Sequence, residues 1–563
     1  MVGLISRPTL HRRQVLRCVL GSLASPFLLG CAATLAPGVA GRSSTGHSLL
    51  VDVHCHVFNA SDLPVRGFVQ RVVLGDEEDQ VALGPEARAV LPWIGAILIE
   101  LLGGGAKTAD EELAEMVQAQ RWSLPARAVN VTDDTDAVAR ALQAVLGEAP
   151  AGRRTLRLSD MPRDLRGRDI LLGRMAEEAN LDPQRVDPSS AAGAQELARA
   201  LLVGKGGVSQ HIQWAQELTR DRREIVSRLV ALYAPSAAVS LFTPALIDYS
   251  AWLEDEPRSN LSSQIYVMER IQRQQTGAAV HCFAPFDPWR QVMDVEAGGR
   301  TTALQLVQWA IEEMGFIGVK LYPPMGFLPI GNALTQQPYP ERAAEIHNFP
   351  AKLDRALMDL YTYAEREGVP VMAHATNSNG AALGYASRAH PRAWEPVLQA
   401  YPRLRLNLGH FGDFEEARGT VPSETWEAVI GRLFGAAGAS ALYADLSYLA
   451  ELLPERDPTV AMQIRRHLAD FIQRHDAALQ HLMYGSDWIM LGRERGYEGY
   501  AASLRTEMER MLGDARRLHN FLGGNVVRYL GLRPGEPARR RLDAYYASNR
   551  LDATWLERID TMV

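Results

Sequence analysis

Several polar residues have the types and positions that suit a divalent metal ion. His54 and His56 follow an apolar run that starts near residue 49, and four later apolar runs each end in one polar residue, namely Lys320, His374, His410 and Asp487. Zinc and similar ions take three or more imidazole and carboxylate ligands at about 2.0 to 2.2 Å. The order of these residues therefore predicts a metal site assembled from distant parts of the chain.

Strand geometry predicts how these residues are presented. Residues two apart on a strand share a face, so one face of the first strand is predicted to carry Asp52, His54 and His56, and the other Val51, Val53, Cys55 and Val57. In a barrel of parallel strands ringed by helices, the outer face is apolar and the carboxyl ends of the strands hold the chemistry. The same alternation points Lys320, Tyr322, His374 and Asp487 inward. His410 fits less well, because Leu404, Leu406 and Leu408 share its parity.

The apolar runs and the amphipathic stretches between them predict an α/β fold, a (β/α)8 TIM-type barrel. The predicted strands are residues 50–57, 237–243, 278–283, 317–322, 369–375, 404–410, 442–446 and 482–487. Residues 48–60 and 236–535 are predicted to form the barrel. Residues 61–235 show amphipathic segments without strand alternation, which predicts a long helical insertion between strands 1 and 2. Residues 536–563 are predicted to be a C-terminal tail.

The first 47 residues predict export. Residues 1–30 hold four arginines, no acidic residue and a short apolar stretch, which is typical of a cleaved signal. Arg12 and Arg13 resemble a twin-arginine signal, and Leu28 to Cys31 resemble a lipoprotein processing box with Cys31 as the lipidated residue. Residues 31–47 are predicted to be a linker. The protein is therefore expected to be a membrane-anchored lipoprotein on the periplasmic side of a bacterial envelope. The alternative to an export signal is a chance N-terminal apolar helix.

Composition excludes some classes of partner. Without residues 1–30 the formal charge falls from −7 to −11, which argues against nucleic acid as a partner. Of the four cysteines, Cys55 and Cys282 lie in predicted strands, so no disulfide framework is indicated. The apolar stretch from Val90 to Leu102 is too short to span a bilayer and is predicted to be a buried helix. The sequence leaves the oligomeric state open.

The set of metal-ligating residues resembles the amidohydrolase superfamily. The segments 51–59, 315–324 and 523–532 are similar to its amidohydrolase-related family, which also contains decarboxylases. The resemblance covers about residues 48 to 60 and 236 to 533 and does not extend to the insertion. It implies a metal-dependent hydrolase acting on a small-molecule substrate.

Residue by residue, the resemblance implies that His54 and His56 bind one metal, while Asp487 ligates it and accepts a proton. His374 is implied as a ligand, and His410 as a ligand of a second ion or as a catalytic acid/base. The role of Lys320 distinguishes a one-metal site from a two-metal site, because two-metal members of the family carry a carboxylated lysine that bridges the two ions. The alternative is that Lys320 is a solvated cation or one that pairs with the substrate. The expected cofactor is zinc, as one or two ions, although manganese, iron and nickel accept the same ligands.

The predicted reaction is hydrolysis of an amide, ester or lactone by a metal-activated water. A metal-dependent decarboxylase or other lyase of the same family is the first alternative. A catalytically inactive binding lipoprotein is the second, since a fold alone does not establish catalysis. All the ligand positions are filled, which favours an enzyme.

Five further residues are predicted near the site on weaker grounds. Tyr322 is predicted either to bind substrate or to close the barrel mouth. His281 either reaches the pocket or is a structural histidine. Asn59 and Asn377 follow strands 1 and 5 and either line the site or serve as turn residues. Asp445 is predicted to point inward and to support the ligands.

Overall fold

The computed structural model describes residues 49–75, 85–122, 131–147, 161–233, 239–274, 278–412, 414, 425–436, 441–453 and 456–562. The predicted signal, Cys31 and the predicted linker lie outside the described residues.

In the described part of the chain, nine short parallel strands form the centre of the fold. They are β1 (Val51–Cys55), β2 (Leu241–Pro244), β3 (Ala279–Val280), β4 (Phe283–Pro285), β5 (Gly318–Leu321), β6 (Val371–His374), β7 (Leu406–Gly409), β8 (Leu442–Asp445) and β9 (Leu482–Met483). They form a three-stranded sheet in the order β1-β2-β3 and a six-stranded sheet in the order β4 to β9. Every strand residue is buried. This is expected when helices cover the outer face of the strands and the inner face lines the interior of a barrel.

Two seams join these sheets into a ring. At one seam, Ala245 after β2 forms a parallel bridge with Phe283. At the other, the Val53 N–H donates to the carbonyl oxygen of Tyr484 at 3.3 Å, and the carbonyl oxygen of His54 accepts from the Asp487 N–H at 2.7 Å. The first and last strands are therefore neighbours, as in a (β/α)8 barrel.

Helices follow the strands in the order that the barrel requires. The helices of the barrel layer are α8 (Leu261–Gln274), α9 (Pro288–Glu296), α10 (Ala303–Glu312), α11 (Phe349–Glu367), α12 (Trp426–Phe434), α13 (Pro458–His475) and α14 (Tyr500–Leu512). Their ends follow local sequence rules: α11 has Pro350 in its first turn and stops at Gly368, whose φ of 62° suits glycine. Short helices lie at Ser250–Leu253, Glu395–Ala400 and Ala515–His519. The predicted fold class is confirmed.

Among the described residues between β1 and β2, seven helices have more than ten residues. They are α1 (Pro85–Gly105), α2 (Ala109–Trp122), α3 (Val131–Leu146), α4 (Leu165–Glu178), α5 (Ala191–Leu201), α6 (Gly207–Glu217) and α7 (Arg222–Tyr233), with a short helix at Val65–Gly67. By length and hydropathy the stretch Pro85–Gln118 could cross a membrane, yet 67% of its most apolar window is buried inside the fold. α1 contacts α3, α4 and α6, so it is the core helix of the insertion.

The C-terminal residues close the lower end of the barrel. α15 (Asn525–Leu530), α16 (Pro537–Asn549) and α17 (Thr554–Met562) follow α14. Tyr529 and Tyr546 pack in one apolar cluster with Phe283 and Tyr443 from the strands. Residues 537–549 and 554–562 thus form helices that pack against the lower end of the barrel.

The prediction for β1 is wrong at Asp52. Between Asp52 and Cys55, β1 advances three residues while β2 advances two, which is a β-bulge that reverses the alternation of faces. Asp52 faces outward, where the hydroxyl of Tyr233 donates to its Oδ2 at 2.7 Å. His54 and His56 lie beyond the extra residue and point into the barrel, as predicted.

The same bulge reverses two valines that were predicted to point outward. Val51 and Val53 pack in the interior cluster with Met372, Tyr443 and Met483. They therefore fill the barrel beneath the histidines instead of packing against the helix layer.

The predicted third strand is split in two. The N–H of Cys282 donates to Oε1 of Gln272, a side chain of α8, at 3.0 Å. This bond replaces a strand–strand hydrogen bond and separates β3 from β4. Cys282 and Cys55 are both buried and free.

Candidate metal centre

Two histidines and a carboxylate converge at the upper end of the barrel. Oδ1 of Asp487 lies 3.2 Å from Nε2 of His56 and 3.8 Å from Nε2 of His54. These three residues are buried, and their candidate ligand atoms all lie within 4.8 Å of one another. Because β1 and the turn after β9 are adjacent, residues more than 400 positions apart in sequence meet here.

Hydrogen bonds orient both histidines towards this point. Nδ1 of His54 lies 3.0 Å from Oδ2 of Asp445, and Nδ1 of His56 lies 2.8 Å from the carbonyl oxygen of Ala245. Both partners are acceptors, so each Nδ1 carries the proton and each Nε2 lone pair is available. This is the arrangement that metal-binding histidines show, and the donor set fits a divalent ion.

The two carboxylates are held ionised. Burial would raise the pKa of Asp487, but its contact with His56 and the nearby imidazoles of His410 and His54 hold it below its usual range. For Asp445, burial is likewise outweighed by its contacts with His54, and the pKa lies below its usual range. Ionised carboxylates are the forms that bind a cation or accept a proton.

Lys320 lies directly against this group. Its Nζ is 2.8 Å from Nε2 of His54 and 3.4 Å from Sδ of Met372. Burial lowers the pKa of Lys320 to about 8, although Asp445 and Asp487 partly oppose the shift. An appreciable fraction of the amine is therefore neutral near neutral pH, which is the form that can ligate or react.

His410 and His374 complete the cluster of imidazoles. The His410 ring centroid lies 4.6 Å from that of His54 and 4.5 Å from that of His374. Burial and the neighbouring His54 lower the pKa of His410 to about 3, so this ring is neutral at physiological pH. Nε2 of His374 lies 3.2 Å from Oγ of Ser378. The structure thus brings together all six predicted metal-site residues.

A second group of donors is better described as a hydrogen-bonded support. His54, His410 and Asp445 also offer three atoms within 4.8 Å, but Nδ1 of His54 already bonds to Asp445. Oγ of Ser447 lies 3.0 Å from that nitrogen and 2.9 Å from Nδ1 of His410. Ser447 therefore links the two histidines.

The backbone makes room for this packing at two glycines. A Cβ on Gly409 would lie 2.8 Å from Cε1 of His54, and a Cβ on Gly485 would lie 2.9 Å from Cβ of His54. Both distances are shorter than side chains tolerate, so the residues beside His54 must be glycine. His410, directly after Gly409, and Asp487, two residues after Gly485, have φ values of 70° and 58°, which are uncommon for residues other than glycine and cluster at functional sites.

The weaker sequence predictions divide into two groups. Tyr322 lies beside the centre, with its ring centroid 4.4 Å from that of His374, and Asn377 lies half-buried in the turn after β6. His281 lies away from the centre: its ring nitrogens bond to the carbonyl oxygen of Gly315 and the hydroxyl of Tyr546 near the lower end of the barrel. His281 is a structural histidine.

Asn59 also has a structural role. Its Oδ1 accepts from the N–H of Ser61 at 3.0 Å, and its Nδ2 donates to Oε1 of Glu112 at 3.1 Å. It caps the turn after His56 and ties that turn to α2 of the insertion, so it does not line the site.

Sequence reasoning missed three residues near the centre. Ser447 links His54 to His410, Asn407 donates to Oδ2 of Asp445 at 2.7 Å, and Tyr249 packs on Tyr322 with ring centroids 4.9 Å apart. Asn407 is the polar residue of an otherwise apolar strand, a signal that alternation could have found. Tyr249 and Ser447 follow strands within loops, where no sequence period marks a residue as part of a site.

A TIM barrel with histidines, a lysine and an aspartate at the carboxyl ends of its strands defines a metal-dependent enzyme of the hydrolase type. The family model described as amidohydrolase matches residues 272–532, which hold β3 to β9. This segment of the chain is similar to the amidohydrolase family, and that family implies a divalent metal cofactor.

More distant similarities extend to solved structures. An amidohydrolase from Burkholderia multivorans with bound zinc is 14% identical over 56% of this chain and 91% of its own, with a TM-score of 0.34. A 4-oxalomesaconate hydratase from Rhodopseudomonas palustris is 14% identical over 59% and 87%, with a TM-score of 0.35. A dihydroorotase from Campylobacter jejuni is 12% identical over 55% and 81%, with a TM-score of 0.30. A comparison with curated proteins finds no match.

Proposed function

We propose that this protein hydrolyses an amide, ester or lactone bond of a small molecule with the help of a divalent metal ion. The observation that carries the proposal is the meeting of Nε2 of His54, Nε2 of His56 and Oδ1 of Asp487 within 4.8 Å, with both Nδ1 atoms already bonded to acceptors. A divalent ion held there would polarise the substrate carbonyl and lower the pKa of water.

The residues of the chain have distinct roles in this proposal. Asp487 is ionised and accepts the proton of the attacking water, then returns it to the leaving group. His410 is neutral and lies next to His54 and His374, as a further ligand or an acid/base. Tyr322 is placed beside His374, where its hydroxyl can bind a substrate oxygen.

We also propose that Lys320 is carboxylated and bridges two ions, with zinc as the favoured metal. Its neutral amine would form an N–C bond with carbon dioxide, one C=O π bond would become the C–O⁻ of the product, and one N–H proton would be released, so that a neutral amine becomes an anionic carboxylate. Three features support this step: the lowered pKa of Lys320, the 2.8 Å contact with a metal-ligand nitrogen, and histidines on both β6 and the turn after β7. An ammonium at this distance from a dication would be repelled.

Removing the metal should abolish hydrolysis. We expect chelated protein, shown to be metal-free by elemental analysis, to lose activity by about a hundredfold or more, because the ion's charge stabilisation is worth several kcal/mol. The assay would follow wild-type protein against a panel of amides, esters and lactones, and zinc, manganese, iron and nickel salts would be added back separately. Undiminished activity of metal-free protein would contradict the proposal. Release of carbon dioxide from a carboxylate substrate in place of hydrolysis would favour the lyase alternative.

We further propose that the mature protein is a lipoprotein anchored through Cys31, on the evidence of the N-terminal sequence. Cells that express the full chain with labelled palmitate should incorporate the label into the protein, and Cys31→Ser should abolish it. Cys18→Ser is the matched control, since this cysteine lies within the predicted signal. Equal labelling of Cys31→Ser and Cys18→Ser would refute the anchor.

A further inference from the structure

The segment that follows the metal-site aspartate is held by the insertion. Nε1 of Trp214, on α6, donates to the carbonyl oxygen of Ile489 at 3.1 Å, and Nε2 of Gln210, on the same helix, donates to that of Gly492 at 2.7 Å. These carbonyl groups lie two and five residues after Asp487. The barrel's own strand β9 ends at Met483, and the barrel reaches this segment through the N–H of His56, which donates to the carbonyl oxygen of Trp488.

The insertion also reaches the residue that precedes the aspartate. The hydroxyl of Tyr233, at the end of α7, donates to Oδ2 of Asp52 at 2.7 Å. Asp52 in turn accepts from Oγ of Ser486 at 2.6 Å and from the Ser486 N–H at 3.0 Å. All of these groups are buried, so the chain Tyr233–Asp52–Ser486 fixes the backbone immediately before Asp487.

The position of the Asp487 carboxylate depends on this backbone. Its φ of 58° is a conformation that aspartate seldom adopts without support, and its N–H is bound to the carbonyl oxygen of His54. A misplacement of about 1 Å at a reacting group can lower a rate by about a hundredfold. Contacts on both sides of Asp487 therefore bear directly on whether its oxygen meets Nε2 of His56.

We propose that α6 and α7 of the insertion are positioning elements of the metal centre, with Trp214 and Tyr233 as the positioning residues for Asp487. The inference rests on the proposed function, in that Asp487 must be a metal ligand. It assigns a role to a part of the chain that lies outside the residues matched by the family model.

The test compares hydrogen bonds that cross to the barrel with equivalent bonds inside the insertion. Trp214→Phe and Tyr233→Phe each remove one donor that acts across the boundary. Trp93→Phe is the matched control, because Trp93 is also buried and its Nε1 donates to the carbonyl oxygen of Asp164 within the insertion at 2.9 Å. Zinc affinity would be measured on full-length protein by competition with a chelator, and the visible spectrum of the cobalt-loaded protein would report the geometry at the ion.

We expect Trp214→Phe and Tyr233→Phe to bind zinc roughly tenfold more weakly than wild type and to alter the cobalt spectrum, as substitutions of groups that orient metal ligands do. Trp93→Phe should match wild type in both. Equal zinc affinity and equal cobalt spectra for all three variants would overturn the positioning role. Wild-type protein that binds neither zinc nor cobalt would instead overturn the proposed function.

A second pair of variants covers the case in which Trp214→Phe does not fold. Gln210→Ala removes the bond to Gly492, whereas Gln213→Ala, on the same helix, removes bonds to the carbonyl oxygens of Leu201 and Gly204 inside the insertion. We expect the first to weaken zinc binding and the second to leave it unchanged. The reverse order, or no difference between them, would contradict the inference.

Discussion

Asp487→Asn is expected to lower kcat by about a thousandfold, within the range that a general base contributes. The amide keeps the size and one oxygen of the carboxylate, so the side chain can still occupy the space beside His56. It lacks the charge that attracts a divalent ion and cannot accept a proton from water. We therefore expect weaker metal binding and a loss of turnover that excess metal does not restore.

The measurement is steady-state kinetics on a substrate that wild-type protein hydrolyses, with the metal content of each sample determined. Asp476→Asn is the matched control. Asp476 is a buried aspartate that precedes β9, the strand that Asp487 follows, and its carboxylate accepts hydrogen bonds from the N–H groups of Gln480, His481 and Leu482. Asp476→Asn should lower the thermal unfolding midpoint and leave kcat within a few-fold of wild type. A fully metal-loaded Asp487→Asn protein with normal kcat would exclude this residue as the proton acceptor.

The metal centre could be predicted because its residues close apolar runs. Each run forms a buried strand, and in a parallel barrel all strands end at the same rim. Single polar residues at the ends of such runs must therefore meet, whatever their separation in sequence. This reasoning required only the order His54, His56, Lys320, His374 and Asp487, and the structure places all of them within one cluster.

Alternation of faces failed where the backbone departs from a regular strand. The bulge in β1 turns Asp52 outward and Val51 inward, yet nothing in the run of residues from 50 to 57 marks an extra residue. At His410, alternation would have required Leu406 and Leu408, which share its parity, to fill the barrel's interior. Instead both leucines pack in the cluster that includes the helix layer, and a φ of 70° turns His410 out of the register of β7 and towards His54.

The role of the insertion could not be predicted from sequence. Its helices were recognisable by amphipathic spacing, but their contacts with the barrel consist of single side-chain donors and backbone carbonyl groups. Carbonyl groups are present at every residue, so no sequence pattern identifies Ile489 or Gly492 as the partners of Trp214 and Gln210. Such pairs become visible only when the two segments are seen together.

The chemical state of Lys320 distinguishes the proposed hydrolase from the lyase alternative. A carboxylated lysine supplies an anionic bridge, so two ions can lie side by side without the repulsion of an ammonium. Lys320→Ala removes that bridge and leaves His54, His56 and Asp487 unchanged. We expect the metal content to fall from about two ions to about one per chain and hydrolysis to fall by at least a hundredfold, because a pair of ions stabilises both the attacking and the leaving oxygen.

Metal content would be measured by elemental analysis after gel filtration of the wild type, Lys320→Ala and Lys352→Ala. Lys352 is a control outside the site, where it pairs with Glu296 on the surface, and its variant should retain the wild-type content. Acetate is expected to restore part of the second ion to Lys320→Ala, because it places a carboxylate in the space that the lysine side chain vacates. One ion per chain in all three proteins, with no effect of acetate, would rule out the bridge and leave the one-metal lyase as the better explanation of the centre.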